Sequence, residues 1–212
     1  MAFRDILGQD RAMARLRQAW SGGRLAQAYC FVGPAGVGRR QTALALAQAV
    51  NCPTPSGGPE PDACGACPAC RKIAAGRHPD VSLVVPEEKS VITIEQVRAV
   101  SARAGLRPYE GAVQVWILDP ADEMQEPAAN AFLKTLEEPA RQTLFVLLVA
   151  SRSALLPTIR SRCQEVPFGL LREADLEAIL RRHGRGAEEA AALAAAADGS
   201  AAQALALDLD QV

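Results

Sequence analysis

Lysine is nearly missing from this 212-residue sequence: of 23 basic residues, 20 are arginine and only Lys72, Lys89 and Lys134 are lysine. Aromatic residues are scarce at 4%. Long apolar runs are missing too. No stretch of about 18 uninterrupted apolar residues occurs, so no membrane-spanning helix is expected. The first ten residues, MAFRDILGQD, carry charge at Arg4 and Asp5 and hold no apolar h-region, unlike a secretory signal peptide. A cytoplasmic protein is the expectation. The chain also lacks net charge, at −1, which excludes a histone-like polycation. With 49% hydrophobic and 22% charged residues it is neither a disordered chain nor a coiled coil. Its length allows one to two domains.

The charge is unevenly spread: residues 1–50 hold seven Arg against two Asp. Arginine suits phosphate through its planar fork, but a GC-rich genome yields the same usage, and composition leaves both open. Cysteine is more informative. Cys52 is followed after eleven residues by Cys64, then by Cys67 and Cys70 at two-residue gaps. In a cytoplasmic protein such a cluster favours a metal over disulfides. Four thiolates match a closed tetrahedral Zn²⁺ site, which leaves no position for a substrate and so implies a structural role. The Pro/Gly-rich stretch 53–63 closes the loop. Cys30, within an apolar run, reads as a small core residue.

From residue 10 to about 168, helices and strands alternate. Helices are expected near 10–20, 39–50, 94–104 and 126–137, and strands at 28–33, 81–85, 113–118 and 144–150. Thr93 and Gln96 form a capping box for the third helix. Strands apolar throughout belong in a parallel sheet covered on both faces. Beyond Phe168, LLREADLEAILRRHG reads as a helix ending at Gly184. The Ala-rich stretch 187–206 reads as two more helices around Asp198-Gly199-Ser200, with Ser200 as N-cap. Leu193, Leu205 and Leu207 supply an apolar seam. The fold class is therefore α/β: a P-loop-type parallel sheet with helices on both faces and a zinc-binding insertion, followed by a small all-α lid.

Gly33-Pro34-Ala35-Gly36-Val37-Gly38 lies between a strand and a helix, where glycines let backbone N–H groups approach a phosphate. A complete P-loop continues with Lys and then Ser/Thr. Here those positions hold Arg39, which keeps a positive charge, and Arg40, which cannot ligate Mg²⁺. At the end of the 113–118 strand, Asp119 stands where a Walker B carboxylate would hold Mg²⁺. Pro120 follows where a Glu should orient the attacking water, and proline has no acid–base chemistry. The loop is a degenerate nucleotide site; ATP or ADP binding is doubtful and hydrolysis is not expected.

These residues, with Ile6-Leu7-Gly8-Gln9, GRHPD at 76–80, AANAFLKTLEEP at 128–139 and SRC at 161–163, give the chain a resemblance. It resembles the δ′ subunits of the bacterial DNA polymerase III clamp loader, within the AAA+ superfamily. The resemblance implies a core over 1–168, with the four-cysteine module at 51–72, and a lid over 169–212. Family members continue into a helical collar domain, so the chain is expected to be a fragment of a longer protein. The resemblance also implies that Arg162 of SRC is an arginine finger, presented in trans to ATP on a neighbouring subunit. The lid arginine of the motor subunits is replaced by Ala202, and Ser151 matches the sensor 1 position. Partners implied are the γ/τ and δ subunits, the sliding clamp indirectly, and primed DNA, with Arg98 and Arg103 as candidate phosphate contacts. Lys134, Glu137 and Glu138 read as structural or interface residues. Two rival readings are an active γ/τ-type ATPase, with Arg39 replacing Lys, and a zinc-dependent DNA-binding module.

Overall fold

A computed structural model of the chain describes residues 2–57, 61–87 and 91–207. Lys89 and the terminal Leu209 to Val212 of the expected lid lie outside the described residues. In chain order the elements are α1 (Asp10–Ser21), β1 (Ala28–Val32), α2 (Arg39–Asn51), α3 (Pro68–Ala74) and β2 (Val81–Val84). There follow α4 (Ile94–Ala104), β3 (Gln114–Leu118), α5 (Glu126–Glu137), β4 (Thr143–Val149), α6 (Pro157–Arg160) and β5 (Gln164–Pro167). α7 (Glu173–Arg182), α8 (Ala187–Ala196) and α9 (Ala201–Ala206) complete the described chain. Among the described residues, no helix is long and apolar enough to cross a membrane.

The five strands form one parallel sheet in the order β2-β3-β4-β1-β5. Alternate residues of each strand face opposite sides, and the two sides carry separate cores. Tyr29, Phe31, Val115, Ile117, Val146 and Leu148 pack with Leu16 of α1 and Leu46 of α2. Cys30, Trp116, Leu118, Phe145 and Leu147 pack with Val97 and Val100 of α4 and Phe132 and Leu136 of α5. β3 and β4 are buried along their whole length, as strands covered on both faces must be. Thr93 and Gln96 cap α4 reciprocally, as the sequence indicated.

Three elements were not foreseen: α3, α6 and β5. α3 starts inside the cysteine segment, where the Cys67 sulfur caps the helix and Pro68 takes the first helical turn. β5, QEVP, pairs with β1 at the sheet edge (Cys30 opposite Glu165), yet only Val166 is buried. Its polar composition hides it from any periodicity. The lid's first helix begins at Glu173 rather than at Leu170. Its core is Leu171, Leu176, Leu180, Ala190, Leu193 and small alanines, with Leu207 packed against it. Leu205 departs from the expected seam: it is 37% exposed and faces the cleft beside the glycine loop, because the six-residue α9 turns its other face inward.

The lid sits directly on that loop. The N–H groups of Ala201 and Ala202, in the first turn of α9, donate to Gly36 O at 3.0 and 3.3 Å. Ser200 Oγ, which caps α9 by accepting from Gln203 N–H, also donates to Ala35 O at 3.3 Å. Gln9 ties the same region from below, its Nε2 donating to Val37 O and Gly169 O. A Cβ on Gly36, whose φ is +78°, would lie 2.1 Å from Ser200 Oγ, so only glycine permits this approach.

On the opposite side of the sheet, the buried Asp80 carboxylate accepts the N–H groups of Tyr109, Glu110 and Gly111 at 2.6–2.9 Å. Burial alone would raise its pKa. The three backbone donors outweigh that and hold it below the ordinary carboxylate value.

Gly36→Val should therefore undock the lid while leaving the sheet intact. Amide exchange across α9 should accelerate at least tenfold, with β4 amides unchanged. Asp80→Ala should cost about 1–3 kcal/mol, the penalty for leaving part-buried donors unpaired. Because Asp80 is depressed in the folded state, its contribution is complete above the ordinary carboxylate pKa and is lost as pH falls through the folded value. Urea titrations of Asp80→Ala below pH 4 should converge on the parent; a constant gap would refute the assignment.

Candidate functional site

The parallel sheet delivers its functional residues to one edge. Gly33 follows β1 and donates its N–H to Val149 O of β4. Gly38, with φ +99°, is the N-cap of α2, a backbone angle that a side chain would strain. Thr42 Oγ1 donates back to Gly38 O at 2.9 Å and fixes the first turn. Asp119 leaves the end of β3 through a cis Asp119–Pro120 bond.

The structure brings together Arg40 and Asp119, 79 residues apart: Arg40 Nε donates to Asp119 Oδ2 at 2.5 Å. The second residue of α2 and the residue that follows β3 are thus bonded to each other. Arg39 lies behind them, half-buried, with Nη1 enclosed and without a hydrogen-bond partner among the described residues. Burial lowers its pKa against the opposing fields of Asp119 and Asp122. Asp122 is a member of this edge that the sequence reading missed. Its Oδ2 accepts Ala150 N–H while Oδ1 is buried without a partner among the described residues, and only its place two residues after Pro120 could have signalled it. Between this loop and the lid lies a cavity of about 300 Å³ lined by Ile6, Leu7, Val37, Leu171 and Ala202 among others. Ala202 offers the cavity no charge. Ser151 follows β4; its Oγ lies 3.2 Å from Ser153 Oγ, and its carbonyl accepts the Ala154 N–H.

The four cysteines converge. The Sγ atoms of Cys52, Cys64, Cys67 and Cys70 all lie within 4.8 Å of one another, with Cys52 and Cys67 4.0 Å apart. Tetrahedral Zn–S bonds of about 2.3 Å would set sulfurs about 3.8 Å apart, so the donor set fits a metal. Backbone N–H groups of Cys64, Cys67 and Cys70 donate to the sulfurs of Cys52, Cys64 and Cys67 in turn. Such bonds stabilise thiolates. The Cys64 thiol is held down at about 6, chiefly by the N–H groups of Ala66 and Cys67.

This lobe also anchors the N-terminus. Buried Asp62 accepts the N–H groups of Phe3 and Arg4 at 2.9 Å, and the Arg4 guanidinium donates to Ala63 O and Cys64 O. Gln48 of α2 donates to Cys70 O, linking the lobe to the helix that starts at the glycine loop.

Arg162 follows α6, 34% exposed in its side chain. Its Nη2 donates to Glu137 Oε1 at 2.5 Å and its Nη1 to Thr158 O at 2.7 Å. Cys163, in the same motif, is half-buried against the α4/α5 core, and burial pushes it to about 12. On α4, Arg98 is exposed, whereas Arg103 stacks over Trp116 with its guanidinium 5.1 Å from the ring centroid. The two expected phosphate contacts therefore differ: Arg98 is exposed, and Arg103 lies on an aromatic face.

Residues 8–171 match the family model described as "DNA polymerase III, delta subunit". A DNA polymerase III subunit delta' from Pseudomonas aeruginosa is 43% identical over 149 residues, covering 68% of this chain and 44% of the relative. One from Bacillus subtilis is 38% identical over 169 residues, covering 80% and 50%. A subunit gamma/tau from Mycobacterium tuberculosis is 33% identical over 181 residues, covering 85% and 31%. The chain thus spans a third to a half of the length of these relatives. Among solved structures, the Thermotoga maritima RuvB Holliday junction branch migration motor superposes with a TM-score of 0.64 at 14% identity, over 96% of this chain and 61% of that one. A gamma subunit-related protein of the same organism gives 0.56 at 22%, over 81% and 49%. These two likenesses speak for the AAA+ fold alone. Sequence family, sheet order and glycine-loop edge agree, and the chain belongs to the DNA polymerase III delta subunit family.

Proposed function

We propose that this chain is a subunit of a bacterial, cytoplasmic clamp loader that does not turn over ATP at its own loop and instead supplies Arg162, in trans, to ATP on a neighbouring subunit. The observation that carries the reading is the Arg40–Asp119 ion pair. A Mg²⁺ ion needs oxygen ligands. Here the hydroxyl position is a guanidinium and the carboxylate is already paired, so the residues present do not fit a Mg²⁺–nucleotide. Pro120 provides no base, and Ala202 no lid charge. The γ/τ and δ subunits are the partners this reading calls for, with the sliding clamp reached indirectly and primed DNA tracked through phosphates, Arg98 being the freer contact.

A guanidinium delivered to a γ-phosphate offsets charge that develops in phosphoryl transfer. The subunit would then act as a trigger, with its α/β core (1–168) as rigid mount and its lid (169–212) locked on the disabled loop. The cysteine lobe (51–72) fits a structural Zn²⁺. Bound there, the ion would hold the lobe closed around Asp62 and so fix the N-terminal turn.

Three outcomes are expected. The purified chain shows no Mg²⁺-dependent ATP turnover above background; turnover abolished by Asp119→Ala would establish the rival motor reading. Arg162→Ala in an assembled loader slows ATP hydrolysis at the adjoining subunit tenfold or more without loss of assembly, fingers elsewhere being worth about 10³–10⁵. The chain carries one Zn²⁺ by metal analysis, and Cys64→Ser releases it and lowers thermal stability. If that variant instead lost only DNA binding, the lobe would be a DNA reader.

A further inference from the structure

Arg162 does not hang free at the surface, and the residue that holds it is unassigned. Its guanidinium has five N–H donors. Nη1 reaches Thr158 O at 2.7 Å and Ser161 Oγ at 3.3 Å, and Nη2 reaches Glu137 Oε1. The first two acceptors lie within four residues of Arg162 itself. Glu137 is 25 residues away, on a different element.

The placement of Glu137 follows from the chain around it. Pro139 disfavours helical geometry at the preceding residue, and Glu138 is indeed non-helical, at φ −127° and ψ 62°. Glu137 is therefore the last residue of α5. Its neighbour Leu136 is buried in the same core as Ile159 of α6 and Leu155 before it. The C-terminal end of α5 and the turn carrying Arg162 are thus fixed against each other by packing, and the two charged groups meet at a defined spot. An arginine without such a partner samples many rotamers, and ordering it at the moment of reaction slows the step.

We propose that Glu137 is a positioning residue for Arg162: it holds one arm of the guanidinium so that Nε–H and the second Nη2 N–H, which no described residue claims, are aimed out of the subunit. The proposal rests on the finger reading above. In that setting Glu137 touches neither nucleotide nor metal and acts only through Arg162.

The test is a set of variants of the full-length subunit in a loader assembled with its partners, with ATP turnover measured as kcat and KM. Glu137→Ala should lower kcat roughly tenfold, below the roughly hundredfold that a misplacement of about 1 Å can cost, with KM for ATP and the melting temperature of the subunit unchanged. Glu137→Gln keeps an acceptor oxygen for Nη2 and should recover most of that loss. The Glu137→Ala, Arg162→Ala double variant should be no slower than Arg162→Ala alone. Parent-like kcat in Glu137→Ala beside a slow Arg162→Ala overturns the positioning role and leaves the finger standing. So does a double variant whose losses multiply. Parent-like turnover in Arg162→Ala removes the finger, and this proposal with it.

Discussion

A parallel sheet covered on both faces can present chemistry only at the ends of its strands, and the rest of this molecule follows from that constraint. β4 is buried at every residue and hydrogen-bonded on both sides, by β3 and by β1. Neither face of the sheet is open to a ligand, so Gly33, Asp119, Asp122 and the first turn of α2 gather where the strands stop. In related folds that edge is where phosphates and metals are held. Here it is closed from within by Arg40 on Asp119, and from above by α9 on Gly36.

Charge explains why closing the edge is tolerable. Asp119 and Asp122, left at strand ends without a metal, would repel each other and lose solvation. Arg39 and Arg40 supply the compensating charge that a divalent cation supplies in a motor subunit. Asp119 thus has an internal counter-ion in Arg40. The lid lies on the loop backbone through plain amide–carbonyl bonds from Ala201 and Ala202 to Gly36.

The cysteine lobe is a second fixed point, and its influence extends beyond its own loop. Asp62 gathers two N–H groups of the N-terminal turn, and Asp5 of that turn accepts from Arg182 of the lid. A continuous set of polar contacts therefore runs from the cysteine lobe through residues 3–5 to α7. The N-terminal segment is more than a leader into α1: it floors the cleft and ties three parts of the chain together.

Much of this was legible in the sequence. The strands and helices over residues 10–137 other than α3, the Thr93–Gln96 box, the Ser200 cap and the cysteine spacing all depend on local patterns, because caps, periodicities and metal spacings act over a few residues. β5, α3 and the exposure of Leu205 were not legible, since a short polar edge strand, a helix begun by a thiol and the outer face of a six-residue helix are settled by neighbours distant in the chain. The same holds for the site. Sequence alone determined which residue types stand at the loop, the strand end and the SRC turn. Only the tertiary structure decided that Arg40 meets Asp119 across 79 residues, that Arg162 rests on Glu137, and that Arg103 lies on Trp116. Long-range ion pairs and stacking are fixed by how the layers pack, and no local pattern encodes them.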